Sequence, residues 1–199
     1  MTRAAAGEAL RLFIAIELTD AARAELARII ESARREDRDG AYRWVNPALL
    51  HVTLHFLGST PASLVPSIEA ALGRAAAAVE PFPLRLSEAG SFGAARAPRI
   101  LWVGFDKPAD PLVRLHQGIG AELRTAGLAV EARPLAPHVT VARRRDRSPR
   151  DAAVPWPRPV VSTELDVAHV ALVQSTLLSD GPEYSALLRA PLGRRLSDS

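Results

Sequence analysis

Two short stretches of this chain carry the same pattern: His51-Val52-Thr53-Leu54 and His138-Val139-Thr140-Val141 are each His-x-Thr followed by an aliphatic residue. The 199 residues contain five histidines, and two of them stand in this repeated pattern. From position 51 to position 138 is 87 residues, close to half the chain. An internal duplication explains that spacing, with each half contributing one β-sheet and its helical cover. We therefore predict two pseudo-symmetric lobes that place equivalent histidines across one cleft.

The first stretch is compatible with two local structures. Asn46-Pro47 is typical of a helix N-cap and first turn, and Gly58 of a helix end. On a helix, His51 and His55 would lie one turn apart and could share a metal ion. On a strand they would face the same way about 13 Å apart, at ~3.3 Å per residue, which is too far for chelation.

The second stretch favours the strand. Pro137 stands directly before it, and Val139-Thr140-Val141 is a β-branched run that suits a strand better than a helix. No histidine follows His138 at a spacing of four, so the metal-binding spacing does not repeat. We predict two strands in which His and Thr point to one face and their aliphatic neighbours to the other, with no metal site.

Composition limits the class of protein. Hydrophobic residues make up 48% of the chain and charged residues 24%, which predicts a packed core rather than disorder. Cysteine is absent, which excludes disulfides and a thiolate site. No apolar run approaches the ~20 residues that span a bilayer. We expect a cytoplasmic, monomeric protein without a cofactor, with one domain over 11–190 and tails at 1–10 and 191–199.

Local patterns predict an alternation of strands and helices along the rest of the chain. A turn-rich segment is expected from Gly90 to Pro98 and an exposed loop from Arg143 to Pro159. Ser59-Thr60-Pro61 is typical of a helix start. Strands are predicted over 11–18, 81–86, 99–105, 167–173 and 184–188, and helices from Thr19 or Asp20 to about 40, from about 61 to 79, and over 108–126.

The paired motifs suit chemistry at phosphorus. In-line cleavage of a phosphodiester needs a base on the attacking oxygen and an acid on the leaving oxygen, and His51 and His138 could supply both near neutral pH without a metal. The hydroxyls of Thr53 and Thr140 could donate to phosphate oxygens. Arg143, just past the second motif, could neutralise charge on the phosphoryl group. The alternative, two half-buried structural histidines, is less favoured for a matched pair.

Other candidates are weaker. Trp44, Phe92 and Trp156 could stack a base, although core or loop-anchoring aromatics are commoner. His116, in a predicted helix, and His169, in a predicted buried strand, are interpreted as structural. The net charge is +3, and every basic residue except Lys107 is arginine, which suits phosphate recognition but also follows from a GC-rich genome.

An ordered set of motifs resembles the 2H phosphoesterase superfamily, and more narrowly the RNA 2′,3′-cyclic phosphodiesterases, formerly known by the name 2′-5′ RNA ligases. The residues that carry the resemblance are, in order, Arg11-Leu12-Phe13-Ile14-Ala15-Ile16, Arg43-Trp44-Val45, His51 to Gly58, Phe92-Gly93, Pro98-Arg99-Ile100-Leu101-Trp102, Pro137 to Arg143, Gln174-Ser175, Gly181 and Tyr184.

The resemblance implies a two-lobed α+β fold, antiparallel sheets with helices around a central cleft, and metal-independent hydrolysis of RNA 2′,3′-cyclic phosphate ends to 2′-phosphate. It implies that His51 donates a proton to the leaving 3′ oxygen, that His138 activates water, and that Arg143 contacts phosphate. Relatives often have Lys or Arg where this chain has His55. Three alternatives stay open: 2′-5′ RNA ligation, a small-nucleotide cyclic phosphodiesterase, and a non-catalytic RNA-binding module.

Overall fold

Nine antiparallel strands form one sheet in the described part of the chain, which in this computed structural model comprises residues 8–106, 110–130, 134–148, 156, 163–179 and 181–193. The strands are β1 (Ala9–Glu17), β2 (Tyr42–Trp44), β3 (His51–Pro61), β4 (Phe82–Ala94), β5 (Ala97–Phe105), β6 (His138–Arg144), β7 (Thr163–Val167), β8 (His169–Leu178) and β9 (Gly181–Pro191). Their order across the sheet is β7-β4-β5-β6-β3-β1-β8-β9, with β2 paired to β6.

Three α-helices lie between these strands: α1 (Asp20–Glu36), α2 (Val65–Ala77) and α3 (Asp110–Thr125). The N-cap predicted for α1 is present, since the Thr19 hydroxyl accepts a 3.3 Å hydrogen bond from the Ala22 amide. All three helices bury apolar side chains in the main core on one side of the sheet. No helix in the described ranges is long and apolar enough to cross a bilayer.

The α+β class predicted from the sequence is confirmed, and the repeat is visible in the order of elements. The unit strand, helix, His-x-Thr strand occurs as β1-α1-β3 and again as β5-α3-β6. Each His-x-Thr strand leads a row of four, β3-β1-β8-β9 on one side and β6-β5-β4-β7 on the other. The two rows meet where β3 pairs with β6, at Val52 and Val139, and β2 from the N-terminal half also pairs with β6, so the sheet is continuous.

The two faces of the sheet differ. Val52 and Val139 are fully buried in the main core on the helix side. Because side chains alternate along a strand, the flanking residues His51, Thr53, His138 and Thr140 lie on the opposite side. We call this side the histidine face. A second, smaller apolar cluster lies there: Phe13, Ala15, Ala171 and Val173, with Tyr184 packed against them.

The helix start predicted at Ser59-Thr60-Pro61 is wrong by several residues. These residues continue β3, paired with β1 as far as Ala9 opposite Pro61. A 3₁₀ turn at Ala62–Leu64 follows, and α2 begins at Val65. Cross-strand hydrogen bonding therefore overrides the local capping pattern.

Two further expectations need correction. The segment predicted as turn-rich is mostly a long hairpin, because β4 runs to Ala94 and pairs with β5 from Ala97. The C-terminal tail expected from 191 still belongs to the fold at its start, since Leu192 is buried and the Gly193 amide donates to the Val79 carbonyl at 2.8 Å. Most of the loop expected over 143–159 lies outside the described residues.

Candidate active site

The two motif histidines lie on neighbouring central strands. Antiparallel pairing at Val52 and Val139 makes His51 and His138 diagonal neighbours, for which Cα atoms are about 7–8 Å apart. The strand prediction for both motifs is therefore confirmed. Such a separation suits two side chains that approach one small group from opposite sides.

Both imidazoles are oriented by the same backbone contact. Nδ1 of His51 lies 2.8 Å from the Leu49 carbonyl, and Nδ1 of His138 lies 2.7 Å from the Ala136 carbonyl. In each motif the carbonyl belongs to the residue two positions earlier. Because a carbonyl oxygen can only accept, Nδ1 carries the hydrogen, and Nε2 is left to exchange protons.

The Asn46-Pro47 pattern that suggested a helix has a positioning role instead. The Asn46 side chain caps a 3₁₀ turn at Pro47–Leu49, which ends directly before β3. This turn fixes the Leu49 carbonyl that holds His51. Nε2 of His51 lies 3.1 Å from the Thr53 hydroxyl, which donates to it when the ring is neutral.

The electrostatic surroundings of His51 favour its neutral form. Burial is the largest cause that lowers its pKa from 6.5, and the nearby positive charges of Arg143 and His138 lower it further. The hydrogen bond to Leu49 acts in the opposite direction. The structure thus places Arg143 and both imidazoles within electrostatic reach of one another.

Arg143 reaches the histidine face because β6 contains a bulge. Trp102 pairs with Thr140, but the next residues of β5, Leu101 and Ile100, pair with Ala142 and Arg143. One extra residue in β6 therefore turns two successive side chains, those of Val141 and Ala142, towards the main core. Simple alternation would have directed Arg143 to the helix side. Sequence reasoning selected this residue but not the bulge that positions it.

Aromatic rings flank each imidazole. Phe13 and Tyr184 lie 4.8 and 5.4 Å from the His51 ring, measured between centroids. Phe92 and Trp102 lie 5.0 and 6.3 Å from the His138 ring. Of these four rings, sequence reasoning named only Phe92 as a stacking candidate, although the alternation of β1 and β5 was a usable signal for Phe13 and Trp102.

The other two aromatic candidates have structural contacts. The Trp44 indole donates from Nε1 to the Asp37 carboxylate at 3.0 Å, which ties β2 to the end of α1. Trp156 packs, partly buried, against the main core on the helix side. Neither lies on the histidine face beside the paired motifs.

His55 does not share a face with His51, contrary to the strand geometry assumed from the sequence. Thr53 pairs with Ala15 and His55 with Ile14, so β3 also contains a bulge that turns both Leu54 and His55 to the helix side. There His55 stacks on His116 of α3, with centroids 4.2 Å apart. A metal ion shared by His51 and His55 is therefore excluded by geometry.

The remaining histidine, His169, bonds Glu17 through Nε2 at 2.9 Å, and Arg189 binds the same carboxylate. These contacts agree with a structural interpretation of His169. Among the described residues, no group of three or more His, Cys, Asp or Glu side chains is arranged to hold a metal ion.

An antiparallel sheet with one His-x-Thr motif on each of two adjoining central strands defines the class indicated by the sequence, the 2H phosphoesterases. Within that class the chain belongs to the 2′-5′ RNA ligase superfamily, whose sequence profile matches residues 20–177. The resemblance inferred from the motifs is therefore confirmed.

Individual relatives agree with this family assignment. The chain is 31% identical over 182 residues to an RNA 2′,3′-cyclic phosphodiesterase of Geobacillus stearothermophilus, a match covering 90% of this chain but 56% of that protein, so the chain spans little over half its length. It is 33% identical to an RNA 2′,3′-cyclic phosphodiesterase of Thermus thermophilus, with 93% of each chain covered. The crystal structure of E. coli LigT complexed with 3′-AMP superposes with a TM-score of 0.76 at 29% identity, over 93% of this chain and 99% of that one.

Proposed function

We propose that this protein hydrolyses the 2′,3′-cyclic phosphate at RNA ends to a 2′-phosphate, with His51 and His138 as the acid–base pair. The observation that carries the proposal is the diagonal placement of two identically oriented imidazoles on adjoining strands. Relatives that are named for this activity match the chain over most of its length.

In the proposed reaction, Nε2 of one histidine takes a proton from water as the water oxygen bonds to phosphorus. The bond from phosphorus to the 3′ oxygen breaks, and Nε2 of the other histidine gives that oxygen a proton. The 2′-phosphate remains on the ribose. Thr53 and Thr140 donate to the non-bridging oxygens, and Arg143 stabilises the negative charge that develops on them.

The resemblance assigns His51 as the proton donor, whereas its surroundings lower its pKa. The donor assignment and the lowered pKa agree if His51 takes up its proton as substrate binds. The negative charge of the phosphate then offsets the positive charges near His51 and favours the imidazolium form. Both histidines come from one chain, so a monomer is sufficient. Only a ribonucleotide, free or at an RNA end, can carry the substrate group, since the cyclic phosphate requires a 2′-hydroxyl.

The direct test is turnover of adenosine 2′,3′-cyclic monophosphate and of an oligonucleotide with the same end, both in EDTA. We expect a 2′-phosphate product, and a loss of about 10²–10⁴-fold in kcat for His51→Ala and for His138→Ala. His116→Asn is the matched control, since its ring lies on the helix side beside His55. Near-normal turnover in either motif variant would remove that residue from the mechanism.

The family description favours one second function, 2′-5′ RNA ligation, in which a 5′-hydroxyl replaces water as the nucleophile: its oxygen bonds to phosphorus and loses its proton, while the bond from phosphorus to the 3′ oxygen breaks and that oxygen gains a proton. A joining assay with a 2′,3′-cyclic phosphate end and a 5′-hydroxyl end tests it. If joined product appears with the wild-type protein and disappears with His138→Ala, one site performs both hydrolysis and ligation.

A further inference from the structure

The two bulges make the motif strands equivalent beyond His-x-Thr. In β6, Val141 and Ala142 both face the core, and Arg143 returns to the histidine face. In β3, Leu54 and His55 both face the helix side, and the next residue, Phe56, returns. Phe56 therefore stands five residues after its histidine, where Arg143 stands in the other half.

Phe56 is placed on the histidine face by its pairing. It lies opposite Phe13 in β1, and Phe13 contacts the His51 ring. Residues directly opposite in an antiparallel pair share a face. Phe56 remains 52% exposed, so its ring is accessible to a ligand on the histidine face.

A guanidinium is present at this position too, supplied by another strand. The Arg11 guanidinium carbon lies 4.7 Å from the centroid of the Phe56 ring. Its charge also lowers the pKa of Tyr184, against the larger effect of burial, so Arg11 is within electrostatic reach of a ring that contacts His51. Five residues after the second motif histidine stands Arg143. Five residues after the first stands Phe56, with the Arg11 guanidinium over its ring.

An exposed aromatic ring beside a cation suits a nucleobase next to a backbone phosphate. Base–aromatic stacking tolerates any base, because every base has a π-face. Five residues of strand separate Phe56 from His51, about 16 Å at full extension and less with the bulge. Phe13 contacts the His51 ring directly, so it lies nearer than Phe56 to a nucleoside whose own phosphate is held between the histidines.

We infer that Phe56 and Arg11 form a second nucleotide subsite, in which Phe56 stacks the base of the nucleotide preceding the one with the cyclic phosphate and Arg11 contacts the phosphate between them. This inference rests on the proposed function. It predicts that the protein prefers a dinucleotide end to a mononucleotide, and that the preference depends on Phe56.

The experiment compares kcat/KM for adenosine 2′,3′-cyclic monophosphate with that for the adenosine dinucleotide ending in 2′,3′-cyclic phosphate. For Phe56→Ala we expect the loss on the dinucleotide to exceed the loss on the mononucleotide by roughly tenfold, within the range found for single stacked bases. Phe56→Trp should keep the dinucleotide preference, whereas Phe56→Leu, which is apolar without a π-face, should lose it.

A matched control and a modified substrate isolate the base. Leu177→Ala removes another exposed apolar side chain, 70% exposed on the β8–β9 hairpin, and should leave both rates unchanged. A dinucleotide that lacks its first base should react with wild-type protein as slowly as the intact dinucleotide does with Phe56→Ala. Phe56→Ala should not lower kcat/KM any further for this modified dinucleotide.

Equal losses on both substrates, or retention of the dinucleotide preference by Phe56→Leu, would overturn the subsite. Failure of the proposed function is distinguishable, because the wild-type protein would then hydrolyse neither substrate. In that case calorimetric titration with the 3′-phosphorylated dinucleotide decides: weaker binding to Phe56→Ala supports the subsite, and equal binding to both proteins rejects it.

Discussion

At the scale of single residues, the site depends on how each imidazole is held. Hydrogen bonds from Nδ1 to Leu49 and Ala136 fix both tautomers, so proton exchange is confined to Nε2. The two rings differ in their surroundings, since burial and the charges of Arg143 and His138 act on His51. Chemically identical motifs can therefore perform different proton transfers.

Arg143→Gln should raise the pKa of His51 towards its ordinary value, because the substitution removes a positive charge that opposes protonation of the ring. The measurement is an NMR titration of the His51 Cε1 proton. Arg145→Gln is the control, a nearby exposed arginine that is not a cause of the shift. A His51 pKa that moves equally in both variants would contradict a direct effect of Arg143.

At the scale of elements, bulges decide which side chains reach the histidine face. β3 contains a second irregularity, since Phe13 pairs with Phe56 but Leu12 pairs with Gly58. Gly58 has φ +67°, a left-handed conformation that other residues adopt at a cost. Gly58, interpreted from the sequence as a helix end, is thus the residue with left-handed backbone at the irregularity of β3 beyond Phe56.

Gly58→Ala should destabilise the protein by about 1–2 kcal/mol, because a Cβ at this backbone angle is strained. Gly73→Ala adds the same methyl group inside α2, where no atom beyond the local helix backbone lies within 4 Å of the new Cβ, and should stabilise by about 0.5–1 kcal/mol through helix propensity. Urea denaturation followed by circular dichroism gives both values. If both substitutions changed the free energy of unfolding in the same direction, backbone strain at Gly58 would not explain the effect of Gly58→Ala.

At the scale of the whole molecule, burial of imidazoles links stability to pH. The pKa values of His51, His55 and His116 are all lowered, chiefly by burial. In the unfolded chain these rings take up protons near pH 6.5. Between that pH and their lower folded pKa values the unfolded state binds more protons, so the free energy of unfolding decreases as pH falls.

Thermal or urea unfolding measured from about pH 8 to about pH 5 should therefore show full stability above pH 6.5 and a progressive loss below it. The window stays above the range in which the Glu17 carboxylate, whose pKa is lowered from 4.5 mainly by Arg189, adds its own loss. Replacing His55 and His116 together with glutamine should flatten the dependence. A wild-type stability that is constant across this range would contradict the linkage.

The sequence by itself determined the α+β class, the repeat and the strand character of both motifs, and it selected five candidate site residues: His51, Thr53, His138, Thr140 and Arg143. These follow from local properties: β-branching, alternation and the recurrence of one pattern at half the chain length. The proposed roles of His51 and His138 are tested by the alanine variants described above, and the phosphate contacts of Thr53, Thr140 and Arg143 stay predictions.

Only the tertiary structure decided which face each side chain occupies after the motifs. Simple alternation places His55 on the same face as His51 and Arg143 on the opposite face. One extra residue in each strand instead moves His55 to the helix side and Arg143 to the histidine face. The contact between Phe56 and Arg11 and the position of Tyr184 beside His51 were likewise visible only after folding. The physical reason is that a bulge is set by pairing with a neighbouring strand distant in sequence, and no local pattern records that pairing.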